Sequence, residues 1–70
     1  MSMKAPGIFY FVLMAYDHRF VGAHRTKEAA KMNCPGDGEV WEADTKRERI
    51  RPVMFRTLAG RWIPLNSAKG

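Results

Sequence analysis

The segment from Lys46 to Arg51 is the part of this sequence best suited to bind another molecule. It holds four basic side chains, and Arg49 and Arg51 alternate along a segment with the pattern of a β-strand, so their guanidinium groups project from one face. A guanidinium group binds a carboxylate or a phosphate through two parallel hydrogen bonds. We therefore predict a partner-binding surface that includes Arg47, Arg49, Arg51, Arg56 and Arg61, together with Arg19 from an earlier turn.

Two structural explanations of the same arginines stay open. Charged side chains on an edge strand prevent the sheet from pairing with other chains, and this segment contains Pro52, which is typical of an edge or a bulge. The preceding strand carries Glu39, Glu42 and Asp44, whose carboxylates could pair with the arginines across a hairpin. Such pairing would neutralise part of the basic surface.

Trp41 and Trp62 are the two largest side chains, and we expect an indole to lie in the core of so short a chain. The alternative is that one of them lies beside the arginines as an interface anchor, so both belong to the predicted partner-binding set. Tyr10 and Tyr16 could stack on nucleic-acid bases, but no spacing here matches the aromatic signature of an RNA-recognition sheet.

His18, His24 and Cys34 are the residues that a metal site or a nucleophile would use. A zinc site normally requires four ligands with a closely spaced pair, and that pair is missing from the sequence. A Cys–His catalytic pair has no local signature here, and Asp37-Gly38-Glu39 does not continue into a calcium loop. We therefore predict no cofactor, no metal and no enzymatic activity, with Cys34 as a small apolar side chain at a helix end.

The elements that position these residues follow from the apolar pattern and from the turn residues. Thr26 predicts a helix N-cap, and Pro35 with its neighbouring glycines predicts the end of that helix after Asn33. The predicted fold is a small α+β domain of order β-β-α-β-β-β, with a mostly antiparallel sheet and one short helix. We expect strands over 8–16, 20–25, 39–44, 49–57 and 61–65, one compact domain over 8–65, and flexible tails at 1–7 and 66–70.

The first strand predicts how the sheet is covered. Its alternate positions are apolar on both sides, so one face should lie under the helix and the other should be packed or available to a partner. Simple alternation in the fourth strand places Arg49, Arg51, Val53 and Phe55 on one face, and Ile50, Pro52, Met54 and Arg56 on the other.

Length and charge restrict the function further. A chain of 70 residues holds one core, and its 12 Lys and Arg against 7 Asp and Glu favour a polyanion or an acidic protein as partner. Seven of the basic residues lie in residues 46–70 beside a single acidic one, so the charge is concentrated. The single cysteine excludes a disulfide within the chain and favours the cytoplasm, and the apolar run at 8–16 is too short to cross a membrane.

Two resemblances to phage proteins accompany these patterns. The segment from Phe20 to Lys31, a strand followed by a Thr-Lys-Glu-Ala-Ala helix start, is similar to the hairpin-to-helix passage of phage integrase arm-binding domains, although their helix follows three strands. The size, the basicity, the Met-Ser-Met-Lys opening and the segment from Ile8 to Lys31 resemble small phage-encoded host-takeover regulators, such as antitermination proteins that bind RNA polymerase. That resemblance implies binding to bacterial RNA polymerase, with effects on initiation or termination and no catalytic residues. We expect a monomer whose partner is a polymerase subunit or another acidic protein surface. The alternative is a nucleic-acid-binding module that contacts phosphates through the arginine-bearing strand.

Overall fold

The computed structural model describes residues 7–65, which form one antiparallel sheet of five strands and one helix. This architecture confirms the predicted α+β class and the predicted order of elements. The strands are β1 (Ile8–Met14), β2 (Phe20–His24), β3 (Gly38–Asp44), β4 (Arg49–Arg56) and β5 (Trp62–Pro64), and α1 (Lys27–Met32) lies between β2 and β3.

The strand order in the sheet is β2-β1-β3-β4-β5, which places β1 and β3 at its centre. The chain leaves β2 at one edge, passes through α1, and enters β3 on the other side of β1. Every neighbouring pair is antiparallel, and β1 pairs with β3 along its full length, from Ile8 opposite Asp44 to Met14 opposite Gly38. The β1–β2 and β3–β4 turns therefore lie at opposite ends of the sheet.

Local interactions at both ends of α1 fix this short helix. The Thr26 hydroxyl accepts a hydrogen bond from the Ala29 amide at 3.1 Å, as expected for an N-cap. The helix ends at Met32 with Asn33 as its C-cap, within one residue of the predicted end, and Pro35 follows. In the turn into β3, the residue with a left-handed backbone conformation is Asp37, with φ of 71°, and not either of the two neighbouring glycines.

The core lies between α1 and one face of the sheet. Val12 and Val40 are paired across β1 and β3, and both are completely buried together with Ala30 and Cys34. Tyr10, Met54 and Trp62 pack against this cluster and are partly buried. Because side chains alternate along a strand, the neighbours of Val12 and Val40 in sequence point away from α1.

A bulge in β4 corrects the predicted faces of that strand. Val40 is opposite Met54, but the next residue of β3, Trp41, is opposite Pro52, so one residue of β4 is extra. As a result Arg51 faces Glu42 on the side of α1, together with Met54. The predicted placement of Arg49 and Arg51 on the same face as Val53 and Phe55 was therefore wrong, because strict alternation ignores the extra residue. The prediction that Pro52 marks an edge or a bulge is confirmed, since a bulge lies there.

The first described residue, Gly7, is attached to the sheet. Its carbonyl accepts hydrogen bonds from the backbone amide of Thr45 at 2.7 Å and from the Thr45 hydroxyl at 3.1 Å. Of the predicted tails at 1–7 and 66–70, residues 1–6 and 66–70 lie outside the described residues. Within residues 7–65 no helix has the length and apolar character that a membrane-spanning helix needs.

Candidate functional site

The sheet face opposite α1 is apolar and carries no second layer of helix or strand within residues 7–65. We call it the open face. β1 and β3 contribute large aromatic side chains at its centre, and β4 and β5 contribute aliphatic and aromatic ones at its side. At the other side, β2 contributes Phe20 opposite Leu13 and Ala23 opposite Phe11. The apolar members of the open face are Phe9, Phe11, Leu13, Phe20, Ala23, Trp41, Ala43, Ile50, Pro52, Phe55 and Ile63, and Glu39 lies among them.

Aromatic contacts organise the centre of the open face. The rings of Phe11 and Trp41, which are cross-strand partners, stack with centroids 6.0 Å apart at an angle of 19°. The ring centroids of Phe9 and Phe11 are 6.2 Å apart, and the His18 ring is nearly perpendicular to Trp41 with centroids 6.3 Å apart. The indole Nε1 of Trp41 donates a hydrogen bond to Glu39 at 3.0 Å, so the N–H of the indole has a hydrogen-bond acceptor within this chain and needs none from another molecule.

The side of the open face formed by β4 and β5 is accessible to solvent. Ile50 is 63% exposed and Ile63 is 44% exposed, although both belong to strands. A contiguous apolar surface of this kind on a soluble protein typically marks a site of interaction with another molecule. The open face is therefore the strongest candidate for the functional site.

A depression of about 420 Å³ lies within the open face at the end near the β3–β4 turn. Its floor is Ala43, which is only 5% exposed because its small side chain stands between Phe9 on β1 and Ile50 on β4. Glu48 and Arg49 from the turn and the start of β4 line its rim. The depression has room for an apolar side chain, next to charged groups.

The predicted arginines partly converge on the other side of the sheet. Arg47, Arg49 and Arg51 line a charged cavity of about 180 Å³ together with Glu42 and Asp44. Arg51 Nε donates to Glu42 at 3.0 Å, and Arg47 Nε lies 3.9 Å from Asp44. The alternative in which acids of β3 pair with the arginines across the hairpin is thus confirmed for Glu42. Asp44 meets Arg47 within the turn, and Glu39 instead accepts a hydrogen bond from Trp41. Within residues 7–65, Arg49 forms no ion pair.

Glu42 also ties this charged cluster to the core. Its second carboxylate oxygen accepts a hydrogen bond from the Tyr10 hydroxyl at 3.3 Å. Burial raises the pKa of Tyr10, and the charge of Glu42 and its hydrogen bond raise it further, while Arg51 acts in the opposite direction. Tyr10 is therefore held as a neutral hydrogen-bond donor within the fold.

Arg56 and Trp62 have structural contacts on the helix side. The guanidinium of Arg56 donates from Nη1 to the Cys34 carbonyl at 2.7 Å and lies 5.8 Å from the centre of the Trp62 indole. Lys31 approaches the same ring at 5.4 Å. Trp62 thus packs against the core, as expected for an indole in this chain, and it also lies beside the guanidinium of Arg56.

The structure does not bring all of the predicted binding residues together. Trp41 lies on the open face, whereas Trp62 and Arg51 lie on the side of α1. Arg19, which donates to the Tyr16 hydroxyl at 3.4 Å, and Arg61 lie in turns at the end of the sheet opposite Arg47. Since β1 has seven residues, about 20 Å separates the two ends.

Cys34 is a buried thiol, 2% exposed, at the end of α1. Burial raises its pKa, and the nearby charge of Arg56 only partly opposes this effect. A thiol in such a setting is a poor nucleophile at neutral pH. Within residues 7–65, no three His, Cys, Asp or Glu side chains are close enough to hold a metal ion.

Sequence reasoning missed Phe9, Phe11, Ile50 and Ile63 as functional candidates. The signal for the first two was present, because β1 is apolar on both faces and only one of them could lie under a single short helix. Comparison of the chain with protein-family models, curated proteins and solved structures finds no match. Its function is therefore inferred from the open face and the charged cavity.

Proposed function

We propose that this chain is a small non-catalytic regulator that binds a protein partner through the open face. The observation that carries the proposal is the uncovered apolar surface centred on Phe11 and Trp41, with Ile50 and Ile63 exposed at its side. Tryptophan in the centre of a patch, surrounded by apolar neighbours, is the arrangement in which binding energy concentrates at protein interfaces.

The proposed partner is bacterial RNA polymerase, with altered initiation or termination as the result. The resemblance to phage-encoded host-takeover regulators supports this identity, and the net charge of +5 fits an acidic protein surface. A protein with this partner would act as a monomer in the cytoplasm of the bacterial host, without a cofactor.

The charges around the open face favour a protein over single-stranded nucleic acid on this surface. A nucleic-acid platform of stacked aromatic residues needs positive side chains that follow the backbone phosphates. The strand positions of the open face instead include one acidic residue, Glu39, next to Trp41, and the strand arginines Arg49 and Arg51 point to the other side.

The test is a binding measurement between the labelled protein and purified bacterial RNA polymerase. We expect micromolar or tighter binding, and a loss of about 30-fold or more when Ile50→Glu and Ile63→Glu are combined, because each places a charge in the apolar interface. Met32→Glu and Leu58→Glu are the matched controls, since both side chains are 83% exposed and neither belongs to the open face. Absence of binding, or equal losses in both pairs, would contradict the proposal.

A second candidate function is nucleic-acid binding through the charged cavity. It is favoured by Arg49, which has no ion pair within residues 7–65, and by Arg47, which is mostly exposed. In that case affinity for duplex DNA should fall steeply with salt, with a log–log slope of about −0.9 for each phosphate contacted. Arg49→Gln should make that slope shallower by the amount that corresponds to about one phosphate contact. An affinity that does not depend on salt would exclude this function.

A further inference from the structure

The open face carries almost none of the charge of this chain. The three arginines of the strands, Arg49, Arg51 and Arg56, lie opposite β3 residues that share the α1 side with Val40. The other basic residues within 7–65 belong to α1 or to the segments between the elements. In the part of the chain that the structure describes, the strand positions of the open face therefore hold a single charged residue, Glu39, among apolar side chains.

This distribution of charge suits a second copy of the chain as the occupant of the open face. Two identical faces bury each of their charges on both sides of the interface, so a self-complementary surface has to be nearly free of charge. The strand arginines of both copies would stay on the outer faces, separated by more than the distance of about 10 Å between packed sheets. Physiological salt screens charges beyond about 8 Å, so the net charge of +5 does not prevent the two faces from meeting.

The size of the open face is close to the lower limit for a specific dimer. A strand of seven residues, such as β1, is about 20 Å long, and five strands spaced about 4.8 Å apart span about 24 Å. Two faces of these dimensions bury about 1,000 Å² in total, whereas stable complexes bury about 1,200–2,000 Å². The area therefore fits a dimer that dissociates readily and not a permanent one.

We propose that two copies of this chain associate reversibly through their open faces, as a two-fold symmetric sandwich of two five-stranded sheets. Sheets that pack face to face in this way bury the inner side chains of both layers, and each α1 would remain on the outside. This proposal goes beyond the proposed function and does not depend on polymerase. Because one face cannot hold polymerase and a second copy together, the dimer would be a form of the free protein, and the copy bound to polymerase would be a monomer.

Sedimentation equilibrium of the full chain in physiological salt tests the association, over concentrations from about 1 μM to about 1 mM. We expect the average mass to rise from 8.0 kDa towards twice that value, with a dissociation constant of about 1–100 μM. A mass that stays at 8.0 kDa over the whole range would overturn the proposal.

Substitutions on the open face test where the two copies meet. Ile50→Glu combined with Ile63→Glu should raise the dissociation constant of the dimer at least about 30-fold, because both side chains are exposed on this face. Met32→Glu combined with Leu58→Glu is the matched control and should change the constant less than about twofold. If circular dichroism shows that the isoleucine double variant does not fold, Ile50→Glu alone should raise the constant at least about tenfold. A dimer that survives these substitutions pairs through another surface, such as the edge of β2, and would overturn the proposal.

The single charge of the open face provides a second test. Glu39→Gln keeps a side-chain oxygen for the hydrogen bond from Trp41 and removes the charge that the dimer would bury, so it should lower the dissociation constant at least about threefold. Glu28→Gln on α1 is the matched control, because it changes the net charge of an exposed position by the same amount. We expect it to change the constant less than about twofold. Weaker association of Glu39→Gln, or equal changes in both variants, would overturn the proposal.

The dimer and the proposed function fail separately. If the chain dimerises as expected and polymerase does not bind, the polymerase partner is wrong and the dimer stands. If polymerase binds through the open face and the chain stays monomeric up to about 1 mM, the dimer is wrong and the proposed function stands.

Discussion

Replacing Val40 with alanine should remove a large part of the stability of this protein, because the core lies on one face of the sheet only. Val40 is completely buried against Ala30 and Val12. Two buried methyl groups contribute about 1.6 kcal/mol in transfer free energy, and the cavity they leave raises the expected loss to about 2–3 kcal/mol. A single core in a chain of this size supplies only about 3–5 kcal/mol in total, so Val40→Ala should leave the fold marginal.

Val21→Ala is the matched control, since it removes the same two methyl groups from a side chain that is 41% exposed. We expect it to cost less than about 1 kcal/mol. Urea unfolding followed by circular dichroism measures both values, and Val40→Ala should lower the midpoint by about 2–3 M if the m-value is about 1 kcal/mol per M. Equal losses at Val40 and Val21 would refute the assignment of the core to the face under α1.

Two further predictions concern the turn before β3 and the buried titratable groups. Gly38→Ala should lower the free energy of unfolding by about 1–3 kcal/mol, because the added Cβ would lie 2.8 Å from Cys34 Sγ and 2.9 Å from the Pro35 carbonyl oxygen, whereas Gly22→Ala meets only a side-chain atom at 3.5 Å. Urea unfolding of the two variants separates a steric effect at Gly38 from the general cost of changing a strand glycine. Equal losses of unfolding free energy in the two variants would contradict the steric explanation. The fold raises the pKa of Cys34 above its usual 9.0 and the pKa of Tyr10 above its usual 10.0, so the unfolded chain loses these protons at lower pH than the folded chain. The contribution of these groups to the free energy of unfolding should therefore be fully present below about pH 9 and be lost as the pH rises beyond it. Cys34→Ala should reduce the part of this fall that begins near pH 9 in unfolding measured across alkaline pH, and an unchanged pH dependence would contradict the raised pKa.

The order of the elements could be predicted from the sequence because each boundary carries a local signal. Thr26 and Pro35 bracket the helix, and the observed strands differ from the predicted ones by two residues at most. Gly60 lies in the gap between the predicted strands over 49–57 and 61–65, and its φ of 93° is a turn conformation that glycine favours. These signals act within a few residues, so tertiary contacts were not needed to recognise them.

The arrangement of the candidate site depended on register, which local patterns do not contain. The bulge opposite Trp41 moved Arg51 to the side of α1, and only the pairing of β3 with β4 shows it. The pairing of β1 with β3 through the α1 crossover likewise places Phe11 against Trp41, residues that are distant in sequence. The apolar character of β1 on both faces predicted a second face that is packed or available to a partner, but not which side chains would share it.

The most direct test of the open face is methyl cross-saturation from unlabelled RNA polymerase to deuterated protein with labelled isoleucine and methionine methyl groups. Ile50 and Ile63 lie on the open face, whereas Met32 is 83% exposed at the end of α1 on the other side of the sheet. If the partner packs on the open face, Ile50 and Ile63 should lose signal while Met32 keeps it. Loss at Met32 with Ile50 and Ile63 unaffected would contradict the proposed binding surface.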